Sequence, residues 1–146
     1  MKAIATALAG CSSFLVVSIV LAQSDAAPKC NPAIYAELQK APEKARNRPN
    51  PLQNDPEAVA AGAILFEQHC AECHGKSAEG SRKAPSLRAS EVQSATPGTL
   101  FWLLTNGVVR KKMPVWSKLP EPQRWQLVRY IKSLGSAPSE SPTGKP

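Results

Sequence analysis

Apolar residues recur at three- and four-residue intervals in two stretches of this chain. Val59, Gly62, Ala63, Phe66 and Cys70 form the first, a narrow stripe that predicts a helix running into Cys70. Trp125, Leu127, Val128, Tyr130, Ile131 and Leu134 form the second, a broader face that predicts a helix opening at Glu121-Pro122 and stopping at Gly135. Between them, "TPGTLFWLLTNG" at 96–107 predicts a third helix. Thr96-Pro97 starts it, and Gly107 supplies the left-handed stop. The first helix has its own entrance, because Asp55 can accept backbone N–H bonds and Pro56 follows without giving up a helical hydrogen bond. Gly62 sits inside that helix at a cost of about 1 kcal/mol against Ala. A close helix crossing at that point would offset the loss.

The remaining stretches carry weaker periods. Residues 23–54 are rich in Ala, Pro, Asn and Lys, and Pro28, Pro32, Pro42, Pro49 and Pro51 break any long helix. This N-terminal extension therefore reads mostly as a linker. Within it, Asn31-Pro32 can open a short helix through "AIYAELQK", whose Ile34, Tyr35 and Leu38 would lie against the domain surface. From Gly75 to Thr96 no period is sustained, so a long loop is expected, of the kind that usually carries function. A short basic loop, "VVRKKMPVWSKLP", follows the third helix. The tail at 136–146 has almost nothing to bury and is expected to be disordered. No strand pattern and no internal repeat appears, which gives an all-α class with one domain at 55–135.

At the N-terminus, Met1-Lys2 precedes an apolar run from Ala3 to Leu21, and Val20-Leu21-Ala22 offers small residues where a signal peptidase would cut. Residues 1–22 therefore read as a signal peptide, with an uncleaved membrane anchor as the alternative because the run is nearly long enough to span a bilayer. "LAGC" at 8–11 mimics a lipoprotein processing site. Lipidation at Cys11 would leave "SSFLVVSIVLA" on the mature chain with too little hydrophobic lead-in before it.

The 146 residues suffice for one core plus flanking segments. Aromatic residues make up only 5%, so a core built from protein alone is short of its bulkiest fillers. Lys and Arg total 18 against 11 Asp and Glu, a formal charge of +7 that falls by one if Lys2 leaves with the signal. That balance favours acidic partners. Nucleic acid is one such class, but no recognition motif for it is present, and no nucleic-acid partner is expected.

Chemistry concentrates at "CAECH", residues 70–74. A Cys-x-x-Cys-His pentad is the attachment signature of c-type haem. On a turn that follows a helix, thiols three residues apart each reach a vinyl group on neighbouring rings of a porphyrin, and the adjacent His74 points Nε2 at the iron. Structural zinc would need four ligands in a closed site, whereas Cys70, Cys73, His74 and His69 crowd into one turn with no second pair elsewhere. A thioredoxin-like dithiol would sit near a βαβ pattern, and a plain disulfide leaves His74 without a reason. Cys30 remains as an unpaired thiol in the Pro-rich segment.

If haem is present, its iron needs a sixth ligand. His69 immediately precedes Cys70, cannot swing to the opposite haem face and reads as a solvent-facing helix residue. Met1 leaves with the signal, so Met113 is the remaining thioether, and His/Met coordination raises the reduction potential relative to two nitrogen ligands. The plainer role for Met113 is a gap-filling core residue.

At these positions the sequence resembles the class I mono-haem cytochrome c family, over roughly residues 55–135. "CAECH" matches the attachment site, "APSL" at 84–87 the proline turn and "MP" at 113–114 the distal ligand loop, while Gly62 and Phe66 match the first-helix pair that Leu127 and Tyr130 cross. The resemblance implies a cytochrome c fold of roughly three to four helices around one covalent haem c, with the N- and C-terminal helices crossing. It also implies that the Pro85 carbonyl accepts the His74 Nδ1–H, and that Trp102, Leu103 and Trp116 wall the pocket. Ordinary core packing is the plainer role for those three. One departure is "GKSAEGSRKA" at 75–84, more charged than in many relatives, which bears on the propionate contacts.

The expected function is electron transfer by an exported, periplasmic monomer. It is not an enzyme on this reading. The alternatives are a haem enzyme, a peroxidase or sulfur-oxidising cytochrome with a labile sixth ligand, or a membrane-anchored haem subunit of a larger oxidoreductase. Between residues 80 and 118 stand Arg82, Lys83, Arg88, Arg110, Lys111, Lys112 and Lys118 against the single acid Glu91. In the family fold these loops flank the haem, so they are expected to steer redox proteins with acidic docking surfaces. A solvated face that maintains solubility is the plainer role.

Overall fold

The computed structural model describes residues 35–82 and 84–135. The expected signal segment with its alternative anchor, Cys11, Cys30, the Asn31-Pro32 cap, Lys83 and the tail lie outside the described residues. Six α-helices are present among them: α1 (Glu43–Arg46), α2 (Glu57–His69), α3 (Ala71–His74), α4 (Ser90–Ser94), α5 (Pro97–Asn106) and α6 (Glu121–Ser133). Turns of 3-10 helix form at Ala36–Lys40 and Val109–Lys111. There is no β-strand among the described residues, only an isolated antiparallel bridge between Val108 and Met113. None of these helices is long and apolar enough to cross a membrane.

The long helices begin where their end chemistry dictates. Asp55 Oδ1 accepts from the backbone N–H of Glu57 at 2.9 Å and of Ala58 at 3.3 Å, which satisfies donors that have no partner inside α2. Thr96 Oγ1 does the same for the Thr99 N–H at 3.2 Å, with Pro97 in the first turn of α5. At its other end α5 stops at Gly107, whose φ of +65° lies in the left-handed region.

Helices α2 and α6 cross at Gly62. A Cβ placed there would overlap the Gln126 carbonyl and stand 2.7 Å from Tyr130 Cβ, so only glycine allows this approach. One turn on, the Phe66 and Tyr130 rings meet with centroids 5.2 Å apart at 47°. Phe66, Trp125, Leu127 and Val128 are each no more than 1% exposed. Burial of such side chains contributes roughly 1.5–3 kcal/mol apiece. Phe101 of α5 stacks on Trp125 of α6 at 4.0 Å and 20°, which docks the third long helix onto the pair.

Two segments differ from their sequence-based expectations. Tyr35 and Leu38 pack as their spacing suggests, but the packing extends further into the extension expected to be mostly linker: Ala41 is buried, and Asn50, 5% exposed, donates from Nδ2 to the Trp125 carbonyl at 3.1 Å. Arg48 pairs with Glu121 at 2.8 Å and lies over the Phe101 ring at 4.7 Å, while Thr96 Oγ1 donates to the Arg46 carbonyl at 2.8 Å. These anchors are single side chains set between prolines, so no hydrophobic period announces them. Likewise α4 forms inside the segment expected as loop, with Val92 only 4% exposed. One turn of helix is too short to show a period.

Candidate functional site

The pentad sits at a helix break. Helix α2 ends at His69, Cys70 leaves helical geometry at φ −122°, and α3 restarts at Ala71. The N–H groups of Cys73 and His74 return to the Cys70 carbonyl at 3.1 and 2.9 Å. Cys70 is half-buried, Cys73 is exposed, His74 is buried, and neither cysteine is in a disulfide. Burial, reinforced by the neighbouring Cys73, pushes the Cys70 thiol up to about 11.

The segment after the pentad folds back on it. The Gly80 N–H donates to the His74 carbonyl at 2.7 Å, Ser81 Oγ donates to the Cys73 carbonyl at 2.5 Å, and the Leu87 N–H donates to the Ala78 carbonyl at 2.9 Å. This return brings the Pro85 carbonyl to 2.9 Å from His74 Nδ1. A carbonyl can only accept, so Nδ1 carries the hydrogen, which in the neutral ring leaves the lone pair on Nε2. Burial lowers the His74 pKa, while the Pro85 hydrogen bond partly opposes it. Burial thus favours the neutral form of the imidazole, which a metal requires, and the Pro85 hydrogen bond holds the ring in one orientation.

Met113 is positioned by a pinched loop. Val108 and Met113 exchange backbone hydrogen bonds at 3.0 and 3.2 Å around the Val109–Lys111 turn, and Lys112 closes it with φ +64°. The Trp116 N–H donates to the Leu104 carbonyl at 3.0 Å and so ties the loop to α5.

These parts converge on one cleft of about 890 Å³. Cys70, Cys73 and His74 line it together with Leu103, Met113 and Trp116. An apolar cavity of about 270 Å³ shares Leu103 and Met113 with it and adds Pro85. The expected wall residue Trp102 lines neither. It is half-buried on α5, and its carbonyl accepts from Asn106 Nδ2 at 2.8 Å. Leu100, Leu103 and Leu104 share one face of that helix at three- and four-residue spacing, and Trp102 falls off it. His69 also departs from expectation. Its ring is half-buried and packs on Trp116 at 5.2 Å and 51°, with both residues on the cleft.

Among the described residues no group of three or more His, Cys, Asp and Glu side chains could hold a metal ion, which leaves structural zinc without its ligand set there. The residues do fit a c-type haem: two thiols, an oriented imidazole and a thioether border one cleft that Leu100, Leu103, Leu104 and Ile131 make largely apolar. Arg82, Arg110, Lys111 and Lys112 border it as well. Arg88 does not join them, since it donates to the carbonyls of Ser77 at 2.5 Å and Leu134 at 3.4 Å.

An all-α fold with this pentad on a crossing helix pair defines a c-type cytochrome domain. The profile of the family described as "Cytochrome C oxidase, cbb3-type, subunit III" matches residues 57–131, and the chain belongs to that family. Its cofactor is a covalently bound haem c. The chain is similar to the cbb3-type cytochrome c oxidase subunit CcoP of Rubrivivax gelatinosus, 32% identical over 107 residues, which is 72% of this chain and 33% of that protein. It is also similar to the cbb3-type cytochrome c oxidase subunit FixP of Sinorhizobium medicae (strain WSM419), 30% identical over 93 residues, 57% of this chain and 32% of that protein. The chain spans about a third of the length of the curated relatives it matches.

Several cleft residues escaped the sequence reading. Leu87, Val92, Leu100, Leu104 and Ile131 line it, and Tyr35 and Leu38 line the apolar cavity beside Met113. The spacing of Tyr35 and Leu38 was a usable signal that they pack, but nothing in it said against what.

Proposed function

We propose that this chain is an exported, periplasmic carrier of single electrons. In this reading Cys70 and Cys73 would hold one haem c through their sulfurs, and His74 Nε2 and Met113 Sδ would bind its iron. The observation that carries it is the convergence of both cysteines, an imidazole oriented by Pro85 and the Met113 thioether on one apolar cleft. The haem supplies the one-electron change between ferric and ferrous iron. Pro85 fixes the imidazole and strengthens its donation. Leu100, Leu103, Leu104 and Ile131 limit water, which favours the lower charge of ferrous iron, and a thioether ligand raises the potential further. Arg82, Arg110, Lys111 and Lys112 on the cleft steer redox partners with acidic docking surfaces, and that steering weakens with salt.

Exposure of the reduced native protein to carbon monoxide tests the reading against a haem enzyme with a labile sixth ligand. A carrier whose two axial positions are both filled by protein binds it poorly. Avid binding without denaturant would favour the enzyme.

A second reading has support in the names of the relatives, which are subunits of cbb3-type oxidases. Here the chain passes electrons as one component of an oxidoreductase complex rather than as a free monomer. The native mass of the protein purified from its own membranes and periplasm separates the two.

A further inference from the structure

Residues 35–40 lie before the family match, which begins at residue 57. Even so, this short segment reaches both loops that carry the proposed iron ligands. Tyr35, 6% exposed, donates from Oη to the Ser86 carbonyl at 3.3 Å. That carbonyl follows directly on the one from Pro85 that holds His74 Nδ1. Tyr35, Glu37 and Leu38 line the apolar cavity with Pro85, Lys111 and Met113. The Glu37 carboxylate accepts from Lys40 Nζ at 2.8 Å. It is held below the usual carboxylate range by that bond first, and by the charges of Lys111 and Arg110 in the Met113 loop as well.

We infer that residues 35–40 form a strap that couples the two ligand loops: Tyr35 and Leu38 close the cavity against the Pro85–Ser86 turn, and Glu37, which lines the same cavity as Lys111 and Met113, draws that side of the Met113 loop inward. Tyr35 and Glu37 are then positioning residues for Met113. The inference rests on the proposed His74/Met113 ligation. An exogenous ligand must lift Met113 away to reach the iron, and lifting it works against the strap. Releasing either anchor therefore makes displacement easier.

Imidazole titrated into the ferric holo-protein reads this directly. Glu37→Gln, close to the native residue in size, is expected to tighten imidazole binding by up to about fivefold, the range for a partly exposed charge pair. Glu37→Asp restores most of the native resistance. Tyr35→Phe removes only the hydroxyl and is expected to have an effect of similar size. High salt erases the Glu37→Gln effect and spares that of Tyr35→Phe. Unchanged affinity in both variants, with a c-type pyridine haemochrome and the visible thioether-to-iron band intact, overturns the strap and leaves the haem reading standing. A change in one variant alone overturns the coupling of the loops. Absence of the thioether-to-iron band in the native protein overturns the ligation on which the strap depends.

Discussion

Replacing Gly62 by alanine sets two effects of known size against each other. Alanine favours a helix interior by about 1 kcal/mol over glycine, and α2 would gain that much if nothing opposed it. The structure opposes it at the α6 crossing. The new methyl would overlap the Gln126 carbonyl and stand 2.7 Å from Tyr130 Cβ, against about 3.5–4.0 Å for carbon atoms in comfortable contact. Both obstacles are backbone or the first side-chain atom of a helix, so no rotamer change relieves them. The helices must separate, which loosens the contacts of Phe66, Leu127 and Val128, none more than 1% exposed. Overpacking and the gaps it opens cost about 1–3 kcal/mol and more where backbone must move, so the crossing outweighs the propensity gain. A net loss of about 2 kcal/mol corresponds to a fall in Tm of roughly 8–16 °C for a domain of this size. Thermal and guanidinium unfolding of the holo-proteins followed by far-UV circular dichroism measures it. An alanine variant as stable as the native protein, or more so, would refute the close crossing.

On the proposed ligation by Met113, Met113→Ala should let the reduced variant bind carbon monoxide and lower its potential below that of the native protein; equilibrium redox titration with gas binding checks both. Asn50→Ala removes the donor to the Trp125 carbonyl and the acceptor for the Leu52 N–H at 2.8 Å, and is expected to cost about 1–3 kcal/mol in guanidinium unfolding. A loss near zero would mean that the extension does not support the core. The Glu121 carboxyl is held below its ordinary value of 4.5, first by the Trp125 indole N–H and then by Arg48. Its contribution is therefore present above that value and lost as pH falls through the folded pKa. Native protein and Glu121→Gln should differ in Tm at pH 7 and converge as pH falls through the folded pKa below 4.5, and a constant difference would contradict the linkage.

The three long helices were legible in the chain because each combines a sustained apolar period with chemistry at its ends. Asp55 before α2 and Thr96 before α5 accept the N–H bonds their positions suggest. The pentad stands out for a different reason: its chemistry is rare enough that few alternatives compete, and Met113 is a thioether that the fold brings to the same cleft. What stayed hidden depends on single side chains. Asn50 and Arg48 secure the extension through partners distant in sequence, and no local pattern encodes such pairings. Trp102 is the opposite case: it is a large aromatic close to the site in sequence, but the phase of α5 turns Leu103 to the cleft instead. His69 packs on Trp116, a residue that becomes its neighbour only when the Met113 loop folds back, so its burial has no local signature.

The attachment of haem through Cys70 and Cys73 is tested most directly by the reduced pyridine haemochrome of the exported protein, taken with the mass of the unfolded chain. Both thiols bonded to the macrocycle give a c-type haemochrome, a mass increased by one haem, and a pigment that stays with the polypeptide in acidic acetone. A chain at its bare polypeptide mass, or a pigment that washes free, would contradict the account.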